Sequence, residues 1–185
     1  MAGTTRQDLQ QQALLDRLAM LRDRVSASRS HVTPEDLKRV PPAGGWSIGQ
    51  VFEHLCVADD SYLAPMRELI GNAKPDPRAA TATWRPSIMG NLLVRSFRSP
   101  RKMPTPKLYR PSPSPRPAVI EAYLERLAQT EELLQRSRQV RWQQIRLGSP
   151  VTRLIRLNLG DCFEILVTHT ERHLAQVDRI KQSLR

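Results

Sequence analysis

Four stretches of the chain carry apolar residues at helical spacing. Leu14, Leu18, Leu21 and Val25 recur at intervals of four, three and four, which predicts a first helix over residues 6–30 with Thr5 as its N-cap. The second stretch, Val51, Leu55, Ala58, Tyr62, Met66 and Leu69, runs to about Ile70. Its start reads as a capping box, Ser47-x-x-Gln50, with Trp46 placed to staple onto Val51. A third helix is predicted over 117–139 from Ile120, Tyr123, Leu124, Leu127 and Leu134, with Pro117 suited to its first turn. The fourth runs from about Leu159 to Gln182. Leu166, Val177 and Ile180 form its stripe, Asn158 is its N-cap, and Asp161 favours its N-terminus. The breaks between them are Val40-Pro-Pro-Ala-Gly-Gly45, Gly71-Asn-Ala-Lys-Pro75 and the turn at Gly148-Ser-Pro150. Val151–Leu157 is too short a pattern to classify. Four long amphipathic segments predict an all-α fold, a four-helix bundle, in one domain spanning 1–185.

Residues 72–115, between the second and third helices, break this pattern. They hold nine of the chain's 15 prolines, so most of the segment is expected to be extended. Ser87–Phe97 alone has the periodicity of a short helix. A connection this long crosses between bundle ends, covers a pocket or reaches another subunit. The segment also carries the charge. Nine Lys or Arg face the single acid Asp76, a net +8 of the chain's +11, leaving +3 for the other 141 residues. The basic excess thus belongs to a connection and not to the face of a packed helix.

Composition adds little beyond this. Aromatics make up 5% of the chain, which disfavours a sandwich or barrel. No apolar run is long enough for a membrane span, and the N-terminal residues are polar. Two cysteines, Cys56 and Cys162, make no disulfide framework, so the expected setting is reducing and cytoplasmic.

The candidate chemistry lies in the histidines. His169 and His173 are four residues apart, one turn on a single face of the last helix, and Gln176 continues their line. Leu166 and Ile180 flank them, so this face turns inward. Buried imidazoles need partners. Two accounts are open: core histidines bonded to nearby carbonyls, or ligands of a shared metal ion. The pair is not the protease signature H-E-x-x-H, because Glu171 lies about 200° around the helix from both histidines and cannot act as their base. His54, three residues after Val51, borders the inward face of the second helix. Three of four histidines thus fall on facing stripes, where bundles build metal sites, and three nitrogens would leave a coordination position open for water or substrate. His31, at the end of the first helix beside a Thr-Pro turn, reads as a surface or capping residue.

Two elements together, Trp46-Ser-Ile-Gly-Gln-Val-Phe-Glu-His54-Leu55 and His169-Thr-Glu-Arg-His173-Leu-Ala-Gln176, resemble the DinB-like (DinB/YfiT) family. The resemblance spans roughly residues 6–183, and the H-x-x-R-H-x-x-Q element is the more specific of the two. It implies a four-helix bundle with a long crossover between the second and third helices. It implies a divalent metal (Zn, Ni, Fe or Mn) held by His54, His169 and His173, and often a homodimer. The crossover here is longer, more basic and richer in proline than that pattern.

The resemblance allows several activities. One is transfer of a low-molecular-weight thiol to an electrophilic small molecule, since a metal-bound thiol is deprotonated and nucleophilic. Metal-dependent hydrolysis is the alternative. Glu53, Asp59 and Asp60 lie near His54 in sequence, and none is aimed at the site. The remaining alternatives are a metal-binding protein without catalysis and a nucleic-acid binder using residues 95–110 as a basic arm. That arm offers only Phe97 and Tyr109 for stacking, so nucleic acid is not the expected partner.

Overall fold

The computed structural model describes residues 6–101, 103–150 and 155–184, and over them the chain is mostly helical. Five α-helices form: α1 (Gln7–His31), α2 (Ile48–Asn72), α3 (Ile88–Arg98), α4 (Val119–Arg136) and α5 (Leu159–Ser183). The helices α1, α2, α4 and α5 pack on one another, and α3 lies against α5. The predicted stripes make this core. Leu14, Leu18, Leu21 and Val25 of α1 are buried, as are Val51, Leu55, Tyr62 and Met66 of α2. Ile120, Tyr123, Leu127 and Leu134 of α4 meet Leu166, Val177 and Ile180 of α5 in the same cluster. Thr5, the expected cap of α1, lies outside the described residues, as do Lys102 and residues 151–154.

The expected capping box of α2, Ser47/Gln50, is present, and Asn158, the expected N-cap of α5, forms a second one with Asp161. The second does more than cap. The Asn158 amide oxygen accepts from the Asp161 N–H at 2.8 Å and from the Trp84 indole N–H at 2.6 Å, and its amide nitrogen donates to the Arg85 carbonyl. The Asp161 carboxylate accepts from the Asn158 N–H and from the Ser87 N–H, each at 3.0 Å. Ser87 is in turn the N-cap of α3. One residue pair therefore sets the starts of two helices and ties the chain before α3 to the head of α5. Close approach completes the joint: a Cβ on Gly160 would run into the Trp84 indole, and one on Gly90 into the Asp161 carboxyl.

The structure differs from the sequence reading in three places. The third predicted helix begins at Val119 rather than 117 and passes into a 3-10 turn at Ser137–Gln139. The unclassified link holds a two-stranded antiparallel hairpin, β1 (Arg146–Gly148) with β2 (Arg156–Asn158), pairing Leu147 with Leu157. Strands of three residues carry too little periodicity to register in sequence. The crossover forms a single 3-10 turn, Lys107–Tyr109, after α3. The other described residues from 99 to 115 form no helix or strand, in keeping with their prolines.

Replacing Asn158 by Ala removes a cap worth about 1 kcal/mol and leaves the buried Trp84 N–H unpaired at about 1–3 kcal/mol. The melting temperature is expected to fall by roughly 5–10 °C. Calorimetry checks this, and an unchanged melting temperature would show that the joint is dispensable.

Candidate metal centre

The α2 capping box sets the helix phase so that His54 faces α5 less than two turns later. On α5, His169 and His173 stack one turn apart and face back. The three expected residues meet. His54 Nε2 lies 3.2 Å from His169 Nε2, and His173 Nε2 lies 3.1 Å from the same atom. One nitrogen from each ring falls within 4.8 Å of the others, and no Asp, Glu or Cys joins the group among the described residues.

The outer ring nitrogens are engaged. His54 Nδ1 lies 2.7 Å from the Tyr109 carbonyl oxygen and must donate to it. His173 Nδ1 lies 2.9 Å from Gln176 Oε1 and donates likewise when the amide is oriented this way. Both bonds place the proton on Nδ1 and leave the Nε2 lone pairs pointing inward. Convergent lone pairs without a shared proton or cation repel. Two nitrogens about 2.05 Å from a common ion at tetrahedral angles sit about 3.3 Å apart, close to the spacing found here. The donor set therefore fits a divalent cation.

Burial supports the neutral form. Loss of water around the ring lowers the pKa of His54, against a smaller opposing effect of the Tyr109 carbonyl. His173 is pushed down to about 3, first by burial and then by His54. Burial, then His173 and His54, hold His169 well below its ordinary value. His54 and His173 are buried, while His169 keeps partial exposure and marks the side nearest solvent.

Aromatic rings wall the centre. The Trp46 indole lies 4.9 Å from the His54 ring and 6.3 Å from the His173 ring, centre to centre. The Phe97 ring lies 5.0 Å from His169. The crossover supplies Phe97, and Arg172 holds it there. The guanidinium donates to the carbonyls of Phe97 at 2.9 Å, Ser99, and Arg101 at 2.7 Å. Arg172 stands inside the H-x-x-R-H element, so its type and place were legible, but its work was not. Tyr109 acts through its backbone carbonyl and leaves no side-chain signal in sequence.

The acids of the region are committed elsewhere. Glu171 pairs with Arg17 of α1 at 2.8 Å, on the far side from the histidines. Glu53 pairs with Arg116 at 2.7 Å and Asp60 with Arg126 at 3.0 Å. Asp59 is buried, and burial raises its pKa well above the carboxylate range. Cys56 and Cys162 are buried free thiols, and burial pushes Cys56 up to about 12. His31 is exposed, with Nδ1 2.7 Å from the Ala27 carbonyl oxygen, as expected of a residue at a helix end.

The family model described as the DinB superfamily matches residues 17–177, most of the chain. The chain belongs to the DinB superfamily. The matched span of this DinB-superfamily chain contains His54, His169 and His173, the crossover and all five helices except the ends of α1 and α5. No curated protein and no solved structure matches the chain.

In chelator-treated protein the three histidines have folded pKa values below the unfolded value of about 6.5. The unfolded chain then binds more protons, so stability is present above that pH and is lost on acidification below it. His169→Gln removes one of the three titrating rings and is expected to flatten the fall of melting temperature between pH 7 and 5. An identical slope in the variant would contradict the neutral state assigned to His169.

Proposed function

We propose that this chain is a metal-dependent enzyme whose ligands are His54, His169 and His173. It transfers a low-molecular-weight thiol to an electrophilic small molecule. The observation that carries the reading is the convergence of three imidazole nitrogens with no carboxylate beside them. A divalent ion held there would act as a Lewis acid and keep a coordinating thiol deprotonated. Chemistry of that kind needs no protein base, and none is in reach: Glu53, Asp60 and Glu171 are all in ion pairs. The chain's own cysteines do not compete as nucleophiles, because both are buried thiols with raised pKa.

The protein's part is positional. Tyr109 and Gln176 orient two of the rings, Trp46 and Phe97 limit the approach of water, and the partly exposed His169 side admits the reactants. We read α1, α2, α4 and α5 as a four-helix bundle that supplies this frame, with α3 and the proline-rich coil as the crossover.

Hydrolysis is the second reading, since the same ion would polarise a scissile group. A free nucleic-acid arm is less favoured. Residues 97–101 are held by Arg172, and Arg98 pairs with Glu164 at 2.8 Å, so part of the basic segment is a cover and not a loose tail.

Metal analysis of untagged protein is expected to find about one first-row ion per chain, in line with one three-ligand site, and its loss in His173→Ala. Metal-free wild type after reconstitution would end the metal reading. Gln176→Ala is expected to weaken metal affinity about 10–100-fold while leaving the helix content unchanged. In cobalt-substituted protein, titration with a small thiol should produce a sulfur-to-metal charge-transfer band. A spectrum that does not respond to thiol would favour hydrolysis.

A further inference from the structure

Beside the histidine centre the proline-rich segment borders a second feature, an open surface cleft of about 410 Å³ lined by Trp46, Gln50, Pro104, Thr105, Arg110, Pro111 and Pro113. Its size falls in the range of small-molecule sites. Two contacts brace the segment beside it. Gln50 Nε2 donates to the Ser112 carbonyl at 3.3 Å, and Arg116 anchors the returning chain to Glu53 of α2.

The lining has a definite chemistry. Trp46 and three prolines supply apolar, partly flat walls. Arg110 is the one charged lining residue, and no acid lines the cleft with it. Arg110 makes no ion pair or side-chain hydrogen bond among the described residues, whereas Arg17, Arg98, Arg116, Arg126 and Arg172 around the same frame are all engaged. A guanidinium presents a planar fork that matches one carboxylate. A phosphate would call for further cationic or backbone donors, and the lining side chains supply no second cation.

The cleft is joined to the centre twice. The Trp46 indole that lines it also contacts the His54 and His173 rings. Arg110 directly follows Tyr109, whose carbonyl holds His54. We infer that this cleft binds the remote carboxylate end of a small-molecule ligand, with Arg110 pairing the carboxylate and Trp46 and the prolines packing its apolar body. The reading of a metal centre matters only for what lies at the ligand's other end.

The test uses full-length protein and two probes, 4-phenylbutyrate and its uncharged amide, with affinities measured by calorimetry. Wild type should bind the acid about two- to fivefold more tightly than the amide, the range expected of an ion pair at an exposed arginine. Arg110→Ala and Arg110→Gln should both abolish that preference, and Arg110→Lys should restore it in part. Lys107→Ala, which removes the same charge outside the cleft, should keep it. His173→Ala should also keep it, because the carboxylate sits on Arg110 and not on a metal.

Several results would overturn the inference: no preference in wild type, a preference that survives loss of Arg110, or one lost equally in Lys107→Ala. A preference lost in His173→Ala but kept in Arg110→Ala would mean that the carboxylate binds as a metal ligand. Failure of the metal reading shows instead in metal content, and leaves the acid–amide difference intact.

Discussion

Three imidazoles that face one another across α2 and α5 impose the constraint around which the molecule is arranged. Burying them uncharged costs hydration, and holding His169 Nε2 3.2 Å from His54 Nε2 and 3.1 Å from His173 Nε2 calls for a proton or a cation to share them. Everything near the centre serves that geometry. Capping boxes set the phase of both helices, a backbone carbonyl and a glutamine amide set the tautomers, and two aromatic rings close the sides. The cluster sits between elements distant in sequence, so its register depends on the packing of the whole core.

The proline-rich segment between α2 and α4 borders the three histidines. A run this rich in proline and arginine is nevertheless anchored to the histidine-bearing helices at two points. Arg172 of α5 gathers the carbonyls at the end of α3, and His54 of α2 holds the Tyr109 carbonyl. Proline suits this use, because an irregular chain with few N–H donors leaves fewer donors to satisfy and exposes carbonyls as acceptors. The same path brings Arg110 and three prolines against Trp46 and so forms the cleft beside the histidines.

Electrostatics divide the region into two zones. Around the outer faces, Arg17, Arg98, Arg116 and Arg126 neutralise Glu164, Glu171, Glu53 and Asp60, which removes every nearby ionised carboxylate from the centre. Asp59, buried beside Tyr123, is kept toward its neutral form by burial. Among the described residues the centre is left with neutral nitrogen donors alone.

The sequence by itself determined the long helices, their buried stripes, the capping box of α2 and the N-cap of α5, because these depend on periods and residue types a few positions apart. It also marked His54, His169 and His173 as inward-facing, and it excluded Glu171 by angle alone. Only the tertiary structure decided that the three nitrogens converge, since that depends on the register of α2 against α5. It alone revealed the Asn158–Asp161 joint reaching Trp84 and Ser87, the short hairpin, and the work of Arg172. Tyr109 and the cleft were beyond sequence reading for one physical reason. A backbone carbonyl has no residue signature, and a cavity exists only where segments far apart in the chain are brought together.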